Sequence, residues 1–164
     1  MSNLRFGFLV LAVIVVAASA GVAAAGPIAV PANVPYDAEG VVPEKVAREC
    51  TELGSKIARF TKQFADQNGT PVELVNEIDF AKAPSSLRIE IFNVVSSGNA
   101  FIGHSKSMSV RVELLSGGVV KAKTSFSRNS MGGFGAGFKG SCSVLGRVTK
   151  ALGKDIADWL SQQG

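Results

Sequence analysis

The stretch VRVELLSGGVVKAKTSF, residues 110–126, decides the fold. Val110, Val112 and Leu114 share one face before Ser116-Gly117-Gly118, and Val120, Ala122, Thr124 and Phe126 share one face after it. A period of two on both sides of a glycine turn predicts a β-hairpin buried on one side only. With a three-residue loop, Val112 falls opposite Ala122 on the inner face and Glu113 opposite Lys121 on the outer, two compatible pairs.

Upstream, Leu87, Ile89 and Ile91 alternate with Arg88 and Glu90, and Ser96-Ser97-Gly98-Asn99 supplies turn residues before the hairpin. Before Pro84, Val72, Leu74, Ile78 and Phe80 predict one more half-buried strand, with Glu73, Glu77 and Asp79 on its solvent face. Phe92, Val94 and Phe101 fall on the nominally outer face of the second and third strands. Either the upstream chain covers them or a second molecule does.

The period changes to that of a helix on both flanks. After Pro43, apolar residues recur at Val46, Cys50, Leu53, Ile57, Phe60 and Phe64, ending at Asn68-Gly69. Near the C-terminus, Leu145, Val148, Leu152, Ile156 and Trp159 form a second stripe. The expected fold is therefore α+β in the order α-β-β-β-β-α, a two-layer sandwich. Two amphipathic helices cover one face of a four-stranded, mainly antiparallel sheet.

The first 25 residues are a different material. Arg5 precedes an apolar run over residues 6–17, and a small-residue tail over 19–25 follows. That order is a secretory signal peptide. The run falls short of the roughly 20 residues a membrane span needs, though an uncleaved anchor is the other reading. Cleavage fits after Ala20 or Ala25, and the second leaves a proline-spaced start. Residues 26–42, with prolines at 27, 31 and 35, read as a leader tethering a domain over 43–164. An edge strand or a surface path for part of it is the alternative. The expected address is periplasmic or secreted.

Removing residues 1–25 leaves 16 basic against 13 acidic groups. So small a surplus excludes nucleic acid as the natural partner, and weak attraction to anionic envelope surfaces stays open.

Two cysteines in an exported chain predict a disulfide, Cys50–Cys142. Each stands near the start of its helix, and Gly54 and Gly146 follow one turn later. Glycines there suggest close backbone approach between helices running parallel, with their first turns bridged. Residues 127–141 can stretch roughly 45 Å, enough to return the chain across the sheet to that bridge.

That return carries MGGFGAGFKGSC, residues 131–142. Gly135, Gly137 and Gly140 match G-x-G-x-x-G, but no second parallel strand follows the helix, so the dinucleotide reading fails. Lys139 precedes glycine rather than Ser or Thr, which removes a phosphate loop of the Walker type. An enzyme alternative pairs Cys142, its thiolate favoured at a helix start, with His104, the sole histidine, in a thiol hydrolase. No metal-ligand spacing and no cofactor motif occurs. Arg128, Met131, Phe134, Phe138 and Lys139 are candidate partner-binding residues of the loop, apolar and cationic groups spaced by glycine.

Leu87 to Val95, Gly98-Asn99-Ala100, the hairpin, the GFGAG loop and the helix ending Asp155-Ile156-Ala157-Asp158-Trp159-Leu160 resemble small exported bacterial envelope proteins of unknown function. These are related to envelope lipoproteins and to the amino-terminal domain of the periplasmic protein TolB. The likeness covers residues 44–162, and the chain departs from it in having no lipid-bearing cysteine after the apolar run. It implies a periplasmic, non-catalytic α+β binding or assembly module. The expected partner is an envelope protein or an anionic envelope polymer, and peripheral membrane contact or a homodimer fits equally.

Overall fold

A computed structural model describes residues 26–96, 105–131 and 140–163. The elements run β1 (Ile28–Pro31), β2 (Tyr36–Val41), α1 (Glu44–Glu49), α2 (Leu53–Gln67), β3 (Val72–Val75), β4 (Ser85–Ser96), β5 (Lys106–Ser116), β6 (Val119–Ser130) and α3 (Ser141–Leu160). The α+β class holds. The sheet has six strands in the order β3-β1-β4-β5-β6, with β2 also paired to β4. Its two halves differ in kind: β4, β5 and β6 form an antiparallel meander, whereas β1, β2 and β3 join it by parallel pairing.

The expected four-stranded sheet is too small because the proline-spaced segment is part of it. Its prolines sit where a strand can spare an amide: Pro27 before β1, Pro31 at its last residue, Pro35 before β2 and Pro43 after it. Between them the chain pairs with β3 and β4, and Val30 and Val34 lie in the core. The segment is therefore sheet rather than tether: β2, paired among the described residues to β4 alone, matches the edge strand that was the alternative, whereas β1 lies inside the sheet between β3 and β4. The strand expected to run on to Phe80 stops at Val75. Beyond it, the Asp79 carboxylate accepts the Ala81 amide and its carbonyl accepts those of Lys82 and Ala83, which turns the chain.

Hairpin register differs from expectation by one residue next to the turn and by two beyond the bulge that follows it. Gly117 and Gly118, at φ of 54° and 80°, form a two-residue turn of the primed kind, and Ser116 faces Val119. The register then slips between Leu114 and Leu115, leaving Lys121 as the extra residue of a bulge. Val112 consequently faces Thr124, and Glu113 faces Lys123. A second bulge at Phe92 lies between the pairs Ile91–Val110 and Asn93–Ser109. It reverses side-chain parity in β4, so Val94 enters the core while Phe92 stays outside beneath the Arg111 guanidinium.

The expected first helix is broken at Cys50, where φ and ψ leave helical values, and Leu53 restarts it. The break turns Cys50 toward α3. Helices α2 and α3 run parallel, as three contacts along them show. Cys50 and Cys142 are bridged at the start with Cα atoms 5.2 Å apart. Gly153 lies against Phe60 and Thr61 midway, and Asn68 Nδ2 donates to Asp158 Oδ1 at 3.1 Å near the end.

Glycine placement corrects the reason given for it. A Cβ on Gly54 would overlap the Val34 carbonyl and the Asn33 side chain, so this glycine seats α2 against the β1–β2 connection. Gly146 has ample room. The helix–helix approach uses Gly153, whose Cβ would come 2.8 Å from the Thr61 nitrogen. Leu53, Ile57, Leu145, Val148, Leu152 and Ile156 then meet Leu87, Ile89, Ile91, Met108, Val110 and Val112 in one core.

Candidate functional site

Chemistry predicted for the cysteines is settled by their bond. Both sulfurs are spent in the Cys50–Cys142 disulfide, so Cys142 has no thiolate to offer and the thiol hydrolase reading is overturned. His104, its intended partner, lies outside the described residues. Beside the bridge, the Tyr36 hydroxyl donates to the Cys50 carbonyl at 3.2 Å, and burial pushes the Tyr36 phenol up from its ordinary value.

A cleft of about 540 Å³ opens against this bridge, between the start of α1, the first turn of α3 and the adjoining ends of β4 and β5. Lys106 lines it, nearly fully buried, with its ammonium donating to Ser96 Oγ at 2.9 Å; Ser96 in turn donates to Ser141 Oγ at 3.3 Å. Sequence reasoning passed over Lys106, although a signal was present: it shares parity with Met108, Val110 and Val112 on the inner face.

The candidate loop residues separate. Arg128 is tied down. Its guanidinium makes two hydrogen bonds of 2.6 Å to Asp155 of α3, and that carboxylate raises its pKa. It therefore fastens the end of β6 to the helix layer. Met131, one residue beyond β6, is 73% exposed. Phe134, Phe138, Lys139 and Phe101 lie outside the described residues.

Charge is sorted across the sheet. The β6 strand carries Lys121, Lys123 and Arg128 and no acid. Strands β1, β2 and β3 carry Asp37, Glu39 and Glu73 and no base. Between these edges the outer face is closed by internal pairs: Arg88 to Glu113 at 2.9 Å, and Arg111 to Asp37 at 3.1 Å and to Glu90 at 3.6 Å. Lys121, Lys123, Glu39 and Glu73 are exposed at the two rims. Glu77 and Asp79, expected with Glu73 on one strand, lie in the connection after β3, where Asp79 pairs with Lys82 at 3.1 Å. No helix of the described residues is long and apolar enough to cross a membrane.

No family model matches the chain, and no curated protein does. Solved structures do. Protein XCC0632 from Xanthomonas campestris, described under family-model DUF330, matches at 12% identity over 84% of this chain and 86% of that one, with a TM-score of 0.53. A variant of the PelC dodecamer from Paraburkholderia phytofirmans matches at 15% identity over 79% and 87%, with a TM-score of 0.50. Lipoprotein GNA1162 from Neisseria meningitidis is more distant, at 16% identity over 80% and 99% and a TM-score of 0.37. The first two show that the fold recurs among bacterial proteins. At these identities the likeness extends to the fold alone, and none of the three is the TolB domain.

Proposed function

We propose that the chain is exported, loses residues 1–25, and works as a non-catalytic docking and assembly module of the bacterial cell envelope. The observation that carries this reading is the open outer edge of β6. Among the described residues β6 pairs with β5 alone, so the outer side of residues 119–129 presents backbone donors and acceptors that no other described strand meets, a ready template for another chain. Val119 and Val120 at one end and Met131 at the other are exposed, and the lysines between them discourage indiscriminate pairing.

Export is supported by the order of the first 25 residues and by the disulfide, which persists in an oxidising compartment. The PelC chain, of like fold, is found as a dodecamer, which favours repeated docking as a use for this scaffold. The test places a photo-crosslinking side chain at Val120 or Met131, with exposed Arg59 on α2 as control, in cells making the full chain. Adducts from the β6 positions and none from Arg59 are expected, on a protein whose mass begins at Gly26. Equal labelling from all three positions, or none, would sink the docking reading, and retention of residues 1–25 would sink cleavage.

A further inference from the structure

We infer that the edge opposite β6 on a second copy of this chain is what docks there, so that copies assemble head to tail. The inference rests on the docking reading above and names its partner.

Its first support is charge. The β6 edge offers Lys121 and Lys123 to solvent, whereas the far edge, made by β2 and β3, offers Glu39 and Glu73. The remaining strand charges of these edges are engaged within the chain, Arg128 by Asp155 and Asp37 by Arg111. A basic rim and an acidic rim on opposite sides of one sheet attract when the second copy is displaced sideways. The symmetric alternative, β6 against β6 about a two-fold axis, would bring two basic rims together and is disfavoured.

Direction is the second support. Strands β2 and β3 run parallel to β4, and β6 is two reversals from it, so β6 points the same way as β2 and β3. A copy beside the first, with its strands aligned, therefore meets β6 without inversion. The short β3 edge is partly closed, because Lys62 Nζ occupies the Val72 carbonyl at 2.6 Å. Side-chain charge, rather than a long hydrogen-bond ladder, thus sets the register on that side. Each edge also exposes aliphatic surface, Val41 beside Glu39 and Val119 with Val120 near Lys121. A heterologous contact of this kind does not stop at two copies: it closes into a ring or continues as a filament.

The experiment uses the exported chain with its disulfide intact, in sedimentation velocity at low and high salt, with circular dichroism to verify folding. Wild type should form concentration-dependent species larger than a dimer that dissociate in salt. Lys121→Glu with Lys123→Glu, and separately Glu39→Lys with Glu73→Lys, should each weaken association at least about tenfold. An equimolar mixture of the two variants should associate again, since each then meets an opposite rim. A monomeric wild type, a closed dimer, or a mixture that stays apart overturns head-to-tail assembly. Adducts at Val120 to a different protein, with monomeric wild type, would overturn this inference and leave the docking reading standing; no β6 adduct at all would remove both.

Discussion

The antiparallel and parallel halves of the sheet share β4 but are built by different means. Strands β4, β5 and β6 come from one continuous stretch, and hairpin turns and bulges set their register. Strands β1, β2 and β3 are four to six residues long; β1 and β2 follow one another along β4 through a short proline-flanked link, and β3 is reached only by a connection that leaves the sheet. The β2–β3 connection is residues 42–71, which hold α1 and α2. Parallel pairing requires such a crossover, and its helices must pack before the strands are useful. One half is therefore specified by neighbours in the chain and the other by tertiary packing.

Breaking the staple should have the largest effect. The bridge joins positions 92 residues apart and clamps the junction of α1 and α2 to the start of α3. Replacing both cysteines by alanine should cost about 4 to 5 kcal/mol in the chain-entropy model, measured by urea unfolding. Selective loss of amide protection in β1–β3, with the meander retained at intermediate urea, would sharpen the contrast; one cooperative loss would erase it.

Glycines probe the halves separately. Gly54→Ala forces a methyl group into the Val34 carbonyl, in the packing that holds the parallel strands, and should cost about 3 kcal/mol. Gly117→Ala meets no neighbour, and only its positive φ is penalised, at about 1 kcal/mol. A reversed order in the thermal unfolding of the two variants would contradict the contrast between the parallel and antiparallel halves.

The smallest effect concerns the far ends of α2 and α3. Hydrogen bonds from Lys154 and Asn68 hold the Asp158 carboxyl below its ordinary value. A folded pKa below the unfolded one adds stability above the unfolded pKa, and that contribution is lost as pH falls through the folded pKa. Asp158→Asn should thus lower the unfolding midpoint slightly at pH 7, and the difference should vanish in acid below that range. A difference that persists there would point to lost packing instead.

How legible each part was follows from the range of the forces involved. The inner faces of β4 and β5 and the stripe of α3 could be read because burial imposes its period directly on neighbouring residues. The bulges at Phe92 and Lys121 could not, since a single inserted residue preserves the local pattern and changes only which partner it meets. Val94 looked exposed for that reason. In β1 and β2 the prolines masked strand character, because their suitability depends on which amides a neighbour needs. Arg128 was legible as a cation but not as an Asp155 partner, a contact made 27 residues away.

By itself the sequence determined the α+β class, the amphipathic faces and the Cys50–Cys142 pairing, all consequences of local period, composition and a choice of only two cysteines. Tertiary structure alone decided the strand order, the conversion of the proline-spaced segment into sheet and the sorting of basic and acidic residues to opposite rims. The charges are written in the chain, but which edge each occupies depends on helices crossing between strands, and that placement exists only once the core has packed.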